Sequence, residues 1–186
     1  MTTRAMLAAL GVIAALAARP AAAQLVLGSP DEPPRLELGA GAFDVTPDRK
    51  VSKVDNLILH PGNGTAGDLS AEYHFGDVGW WFFSPFVGLE ATTKGATFGY
   101  FGFGTDLYFT PHWVLTPNAA AGFFQQGTGT RLGSWFEFRT GAEIDYKFDN
   151  LTRLGIAFHH VSNAGLTGVN PGEDSVTLVY SIPLNW

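Results

Sequence analysis

From Leu36 to the end of the chain, apolar residues alternate with polar or small ones at a period of two, and turn residues break the alternation at fairly even intervals. Leu36, Leu38, Ala40 and Ala42 oppose Glu37, Gly39, Gly41 and Phe43 before Thr46-Pro47-Asp48 ends the run. Leu69, Ala71, Tyr73 and Phe75 oppose Ser70, Glu72 and His74, and Phe83 to Ala91 oppose Phe86, Gly88 and Glu90. After a turn at Lys94-Gly95, Phe101, Phe103, Leu107 and Phe109 face away from Tyr100, Gly102, Gly104, Asp106 and Tyr108. Trp113, Leu115, Ala119, Ala121 and Phe123 form a fifth apolar face. The sixth is the sharpest, with Phe136, Phe138, Ala142, Ile144 and Tyr146 against Glu137, Arg139, Glu143, Asp145 and Lys147. Leu154, Ile156 and Phe158 make the seventh, and Val176, Leu178, Tyr180, Ile182, Leu184 and Trp186 the eighth.

Eight segments of about ten residues, apolar on one face, predict an all-β fold: an eight-stranded antiparallel transmembrane β-barrel with its apolar face toward lipid. Closure leaves no unpaired edge in hydrocarbon. About eight strands leave a lumen that side chains fill, which argues against a water-filled pore. Arg139 and Arg153 are expected to pair there with Glu137, Glu143 or Asp145, and Glu72 and His74 to join an interior network rather than hold a metal. Trp80, Trp81, Trp113, Trp135 and Trp186 suit girdles at the two membrane interfaces. The competing architecture, a soluble lipocalin-type barrel, turns the apolar face inward. It leaves the Gly-rich polar face of the fourth segment without a purpose.

Arg4, the apolar run Ala5 to Ala18 and the small residues Ala21-Ala22-Ala23 read as an export signal, so residues 1–23 are assigned to a cleaved signal peptide and 24–186 to the barrel. The segment Ser29 to Pro34 is expected to lead into the first strand, and Pro47 to Gly67 to form the first outer loop. The chain is acidic, with 11 Lys and Arg against 17 Asp and Glu, and losing Arg4 and Arg19 makes it more so. That balance argues against a nucleic-acid partner. Cys is absent, so disulfides and thiolate metal sites are excluded. No His, Asp and Glu spacing argues for zinc, and no metal is expected.

The chemistry concentrates in His159-His160-Val161-Ser162-Asn163-Ala164-Gly165-Leu166 and Asn170-Pro171-Gly172-Glu173-Asp174-Ser175. Continuing the parity of Leu154, Ile156 and Phe158 puts His160 and Ser162 on the outer face and His159 in the lumen. Counting back from Trp186 puts Asp174 outward and Glu173 inward, provided no bulge intervenes. Polar groups on a lipid-facing wall cost free energy unless they partner one another or a polar substrate. His160 and Ser162 stand about 7 Å apart along one strand, and a carboxylate on the paired strand can orient the imidazole. That is the logic of a nucleophile, a base and an acid. Asn163 and Gly165, with Asn170, are candidate oxyanion donors, although all three are also ordinary loop formers. Glu173 remains the fallback acid if the loop distorts.

These residues resemble the signature of outer-membrane lipid A 3-O-deacylases of the PagL type, sharply over residues 158–184 and elsewhere only in architecture. The resemblance implies hydrolysis of the ester-linked 3-O-acyl chain of lipid A without a cofactor, with Ser162 as nucleophile, His160 as base and Asp174 as acid. In such enzymes the acidic place is often Glu; here it is Asp. The implied partners are lipid A or lipopolysaccharide as substrate and the surrounding outer-membrane lipids, with a homodimer as a further expectation. The terminal aromatic, Trp186, resembles the assembly signal of bacterial outer-membrane proteins. With both termini in the periplasm, the seventh strand ends at the outer surface, beside the leaflet that holds lipopolysaccharide. An acyl chain is expected along Phe136, Phe138, Phe158 and Leu178. The competing functions are a non-enzymatic structural or adhesion barrel, and a phospholipase or acyltransferase using the same Ser-His pair.

Overall fold

The computed structural model describes residues 25–28, 32–46, 65–76 and 82–184. The signal peptide, residues 47–64 of the expected first outer loop with its lysines, Trp80, Trp81 and Trp186 lie outside the described residues, and Ala66 and Gly67, expected in that loop, belong to a strand instead. Eight long strands follow in order: β1 (Arg35–Phe43), β2 (Ala66–His74), β3 (Ser84–Thr92), β4 (Thr97–Gly104), β5 (Trp113–Gln125), β6 (Phe136–Lys147), β7 (Arg153–Ser162) and β8 (Glu173–Pro183). Each pairs antiparallel with the next, and β8 returns to β1 through Val176↔Ala42 and Tyr180↔Leu38, which closes the barrel. Two short strands, Val26–Leu27 and Leu107–Tyr108, pair with each other at the end of the barrel remote from Ser162; the alternation did not foretell the first of them.

Side chains divide by parity as expected. Leu69, Leu89, Phe123, Ile156 and Leu178 are exposed on the outside, while Glu72, Glu90, Glu137, Arg139, Glu143, Asp145 and Arg153 are buried inside. Only a surrounding hydrocarbon makes that inversion favourable, because exposed apolar area in water forfeits about 25 cal/mol per Å². Trp113 and Trp135 are both exposed, one at the start of β5 and one just before β6, toward opposite ends of the barrel.

The lumen is packed, and its ion pairs run across it. Arg139 Nη2 lies 2.7 Å from Glu72 on β2, and its guanidinium stacks 4.1 Å from the Tyr100 ring centroid. Tyr100 donates its hydroxyl to the same Glu72 carboxylate at 2.8 Å. His74 Nε2 stands 3.2 Å from Glu72 and 3.8 Å from Glu37, an interior network in which Arg139 already shares the charge of Glu72. Arg153 pairs with Asp106 at 2.6 Å and with Glu32 at 3.1 Å, and Glu32 also takes Lys147 and the Tyr108 hydroxyl. The expected salt-bridge partners Glu137, Glu143 and Asp145 are thus replaced by Glu72, Asp106 and Glu32. The Arg139 guanidinium on its long stem reaches β2 on the opposite wall of the narrow barrel, and Arg153, at the other end of β7 from Ser162, reaches segments that lie outside the long strands, before β1 and after β4. Toward Ser162 an apolar cluster of Phe43, Phe98, Phe124, Leu132 and Val161 packs together beside the buried Glu137 and Glu173.

Glycine makes room for these inward rings. Gly88 faces Tyr100 across the β3–β4 pair, and a Cβ there would stand 2.3 Å from the ring. Gly102 faces Phe86 in the same pair, with the tip of that ring 2.5 Å from where its Cβ would lie. Gly88→Val is therefore expected to displace Tyr100 from Glu72 and Arg139 and to lower barrel stability by about 2–4 kcal/mol. Urea unfolding of the reconstituted chain, followed by tryptophan fluorescence, measures it.

Candidate active site

The outward face of β7 ends in His160 and Ser162, both partly exposed, whereas His159 and Val161 between and beside them are buried in the lumen. No bulge interrupts the β7–β8 register: Asp174 sits directly opposite His160, and Val176 opposite Phe158. The Asp174 carboxylate consequently meets the imidazole, with Oδ1 2.9 Å from His160 Nδ1. Asp174 is only 5% exposed although it lies on the outer face. Its cover comes from the segment after β1, where Thr46 donates its hydroxyl to Asp174 Oδ2 at 2.6 Å and the Val45 N–H bonds the Asp174 carbonyl at 2.8 Å.

Glu173 pairs in register with Val161, is fully buried, and accepts the Asp44 N–H at 3.1 Å. Its carboxyl lies on the lumen side, away from the imidazole. Ser162 closes β7 opposite Phe138 of β6. Phe136, Phe138, Phe158 and Leu178 all occupy outward positions on β6, β7 and β8, and the rings of Phe136 and Phe138 meet edge to face at 5.3 Å.

The loop after β7 is held by Asn163. Its side chain is wholly buried; Nδ2 lies within hydrogen-bonding distance of the carbonyls of Leu132 (2.9 Å) and Val169 (2.8 Å) and of the Thr167 hydroxyl (3.1 Å). Oδ1 accepts the Gly165 N–H at 3.0 Å, and the Asn163 N–H donates to Asn170 Oδ1 at 3.0 Å. The N–H groups of Asn163 and Gly165 are thereby spent within the loop. Asn170 is exposed and, with Oδ1 turned to Asn163, presents Nδ2 as its donor. Ala164 and Gly165 both take left-handed conformations, φ 52° and 79°, and the Leu166 N–H closes the turn on the Asn163 carbonyl at 3.0 Å. An alanine held in this region costs about 1–2 kcal/mol, which the buried Asn163 amide offsets. Neither the tether to Leu132 in the β5–β6 loop nor the Thr46 contact was anticipated from sequence. The only hint was that Thr46 ends the first alternating run.

The arrangement joins an imidazole and a carboxylate on a membrane-facing wall, with a hydroxyl two residues further along the same face. Comparison with known proteins bears on what it serves. Residues 63–183 match the model of the family described as PagL, lipid A 3-O-deacylase. A lipid A deacylase PagL from Bordetella bronchiseptica is 37% identical over 51 residues, 27% of this chain and 29% of that protein, so the match spans well under half of the relative's length. The crystal structure of the outer membrane enzyme PagL superposes with a TM-score of 0.60 at 20% identity, over 81% of this chain and 99% of that one. That likeness speaks for the barrel fold. With the family model matched over more than half of its length, the chain belongs to the PagL family of lipid A 3-O-deacylases.

Proposed function

We propose that this chain is a serine esterase of the outer membrane that hydrolyses the ester-linked 3-O-acyl chain of lipid A in the outer leaflet, with Ser162 as nucleophile, His160 as general base and Asp174 as the orienting acid. The observation that carries the reading is the 2.9 Å contact between His160 Nδ1 and Asp174 Oδ1 on the outer face, two residues short of the serine. A carboxylate at Nδ1 fixes the imidazole so that Nε2 is the nitrogen that exchanges protons. In the acylation step, the Ser162 hydroxyl adds to the ester carbonyl as His160 Nε2 takes its proton. The tetrahedral oxyanion needs a donor, and the Asn170 amide is the polar group best supported, since the Asn163 and Gly165 N–H groups are engaged within the loop. Collapse returns the proton to the departing sugar 3-oxygen, leaving an acyl-serine. Water, deprotonated by His160, then releases the fatty acid and restores Ser162.

The location of the trio fits a lipid substrate. Phe138 lies beside Ser162, and Phe158 and Leu178 continue the apolar surface along the wall, so an acyl chain can lie against the barrel with its ester at the rim. Strand parity favours Asp174 over Glu173, whose carboxyl is turned into the lumen toward Asp44.

Ser162→Ala is expected to abolish deacylation, by about 10³-fold or more, with the barrel still assembled. Mass spectrometry of lipid A from cells carrying the variant checks it, loss of one hydroxyacyl chain marking the active protein; wild-type activity in Ser162→Ala sinks the proposal. Asp174→Ala should lose about 10²- to 10⁴-fold while Glu173→Gln stays active, and the reverse pattern reassigns the acid. Asn163→Ala takes its amide donor from the Leu132 carbonyl and leaves Val169 with the Thr167 hydroxyl alone, and should cost about 1–3 kcal/mol together with faster amide hydrogen exchange over residues 163–170.

A further inference from the structure

The acid of the candidate triad is held by a residue from the far side of the barrel seam. Three successive residues after β1 each engage β8. Asp44 donates its N–H to the Glu173 carboxylate at 3.1 Å, Val45 donates its N–H to the Asp174 carbonyl at 2.8 Å, and Thr46 donates its hydroxyl to Asp174 Oδ2 at 2.6 Å. Asp44 takes a left-handed φ of 55°, and its own carboxylate is bonded by the Thr130 hydroxyl while its carbonyl accepts from Thr65. The bend at Asp44 is thus fixed on both sides, and it delivers Thr46 to the oxygen of Asp174 that does not face His160.

A carboxylate can turn about its χ2 torsion, which is broad and roughly two-fold, and so can exchange the oxygen offered to the imidazole. A hydroxyl bonded to Oδ2 removes that freedom and directs Oδ1 at His160 Nδ1. Hydrogen bonds to charged groups are about twice as strong as those between neutral groups, and this one lies on an acid that is nearly sealed from solvent.

We infer that Thr46 is a positioning residue for the reaction: its hydroxyl locks the Asp174 carboxylate in the orientation that holds the His160 imidazole toward Ser162. The inference rests on the serine-esterase reading above. Thr46 touches neither the serine nor the ester, so its effect falls on the chemical step and not on substrate binding.

The test uses the full chain folded in detergent, with purified lipid A bearing its 3-O-acyl chain in mixed micelles as substrate. Thr46→Val should lower kcat about tenfold with KM unchanged, and Thr46→Ser, which restores the hydroxyl, should return most of the rate. In an Asp174→Ala background Thr46→Val should cost nothing further, since the group it positions is gone. Wild-type kcat in Thr46→Val beside an impaired Asp174→Ala overturns the inference while leaving the esterase reading intact. The same loss from Thr46→Val in both backgrounds also overturns it, because that pattern marks a general structural role. An Asp174→Ala enzyme as active as wild type removes the acid itself from the mechanism, and Thr46 with it.

Discussion

In a closed barrel of this width each strand side chain has one of two surroundings, lipid or lumen, and the choice alternates residue by residue. The rest of the molecule depends on that constraint. It forces the charges of β6 and β7 inward, where they must find opposite charges in a space too narrow for bulk water. Arg139 meets Glu72 and Arg153 meets Asp106 for this reason. Removing one partner from such a buried pair typically costs about 3–5 kcal/mol. The same rule makes a polar residue on the outside conspicuous. His160, Ser162 and Asp174 occupy outward positions at one end of a wall otherwise lined by Leu154, Ile156, Phe158, Val176 and Leu178.

The two faces divide the work. The lumen supplies rigidity through Tyr100 seated over Gly88, Arg139 stacked on that ring, and Glu72 bonded to both. The outer face carries the proposed site, and its geometry is inherited from the register: His160 and Asp174 meet because they are direct neighbours across β7 and β8. Asp174 belongs to both regimes, buried like a lumen residue yet turned outward, because the chain leaving β1 folds over it.

Much of this was legible in the sequence because a period of two tolerates no drift. The eight strands, the inward placement of His159 and the outward placement of His160, Ser162 and Asp174 all follow from counting, and a register held without a bulge kept the count true. Cross-lumen partners were not legible. Parity says that Arg139 points inward, but which acid on the opposite wall it meets depends on how far β2 is shifted relative to β6. Asn163 was misleading for a related reason. Its sequence neighbours mark a turn with spare N–H groups, yet the Leu132 carbonyl from the β5–β6 loop draws its amide inward and makes it a structural tether. Thr46 was read as a terminator of the first run, and only the left-handed bend at Asp44 brings it to Asp174.

The packed interior carries a consequence for supply. With guanidinium, phenol and aromatic rings filling the cylinder, nothing the size of a glycolipid can arrive through the middle, so a lipid that reaches Ser162 comes from outside the barrel, along the leaflet that borders it. Under the proposed esterase reading, turnover would track how crowded that two-dimensional sheet is with substrate, and dilution by inert detergent or phospholipid would slow it even at constant bulk concentration.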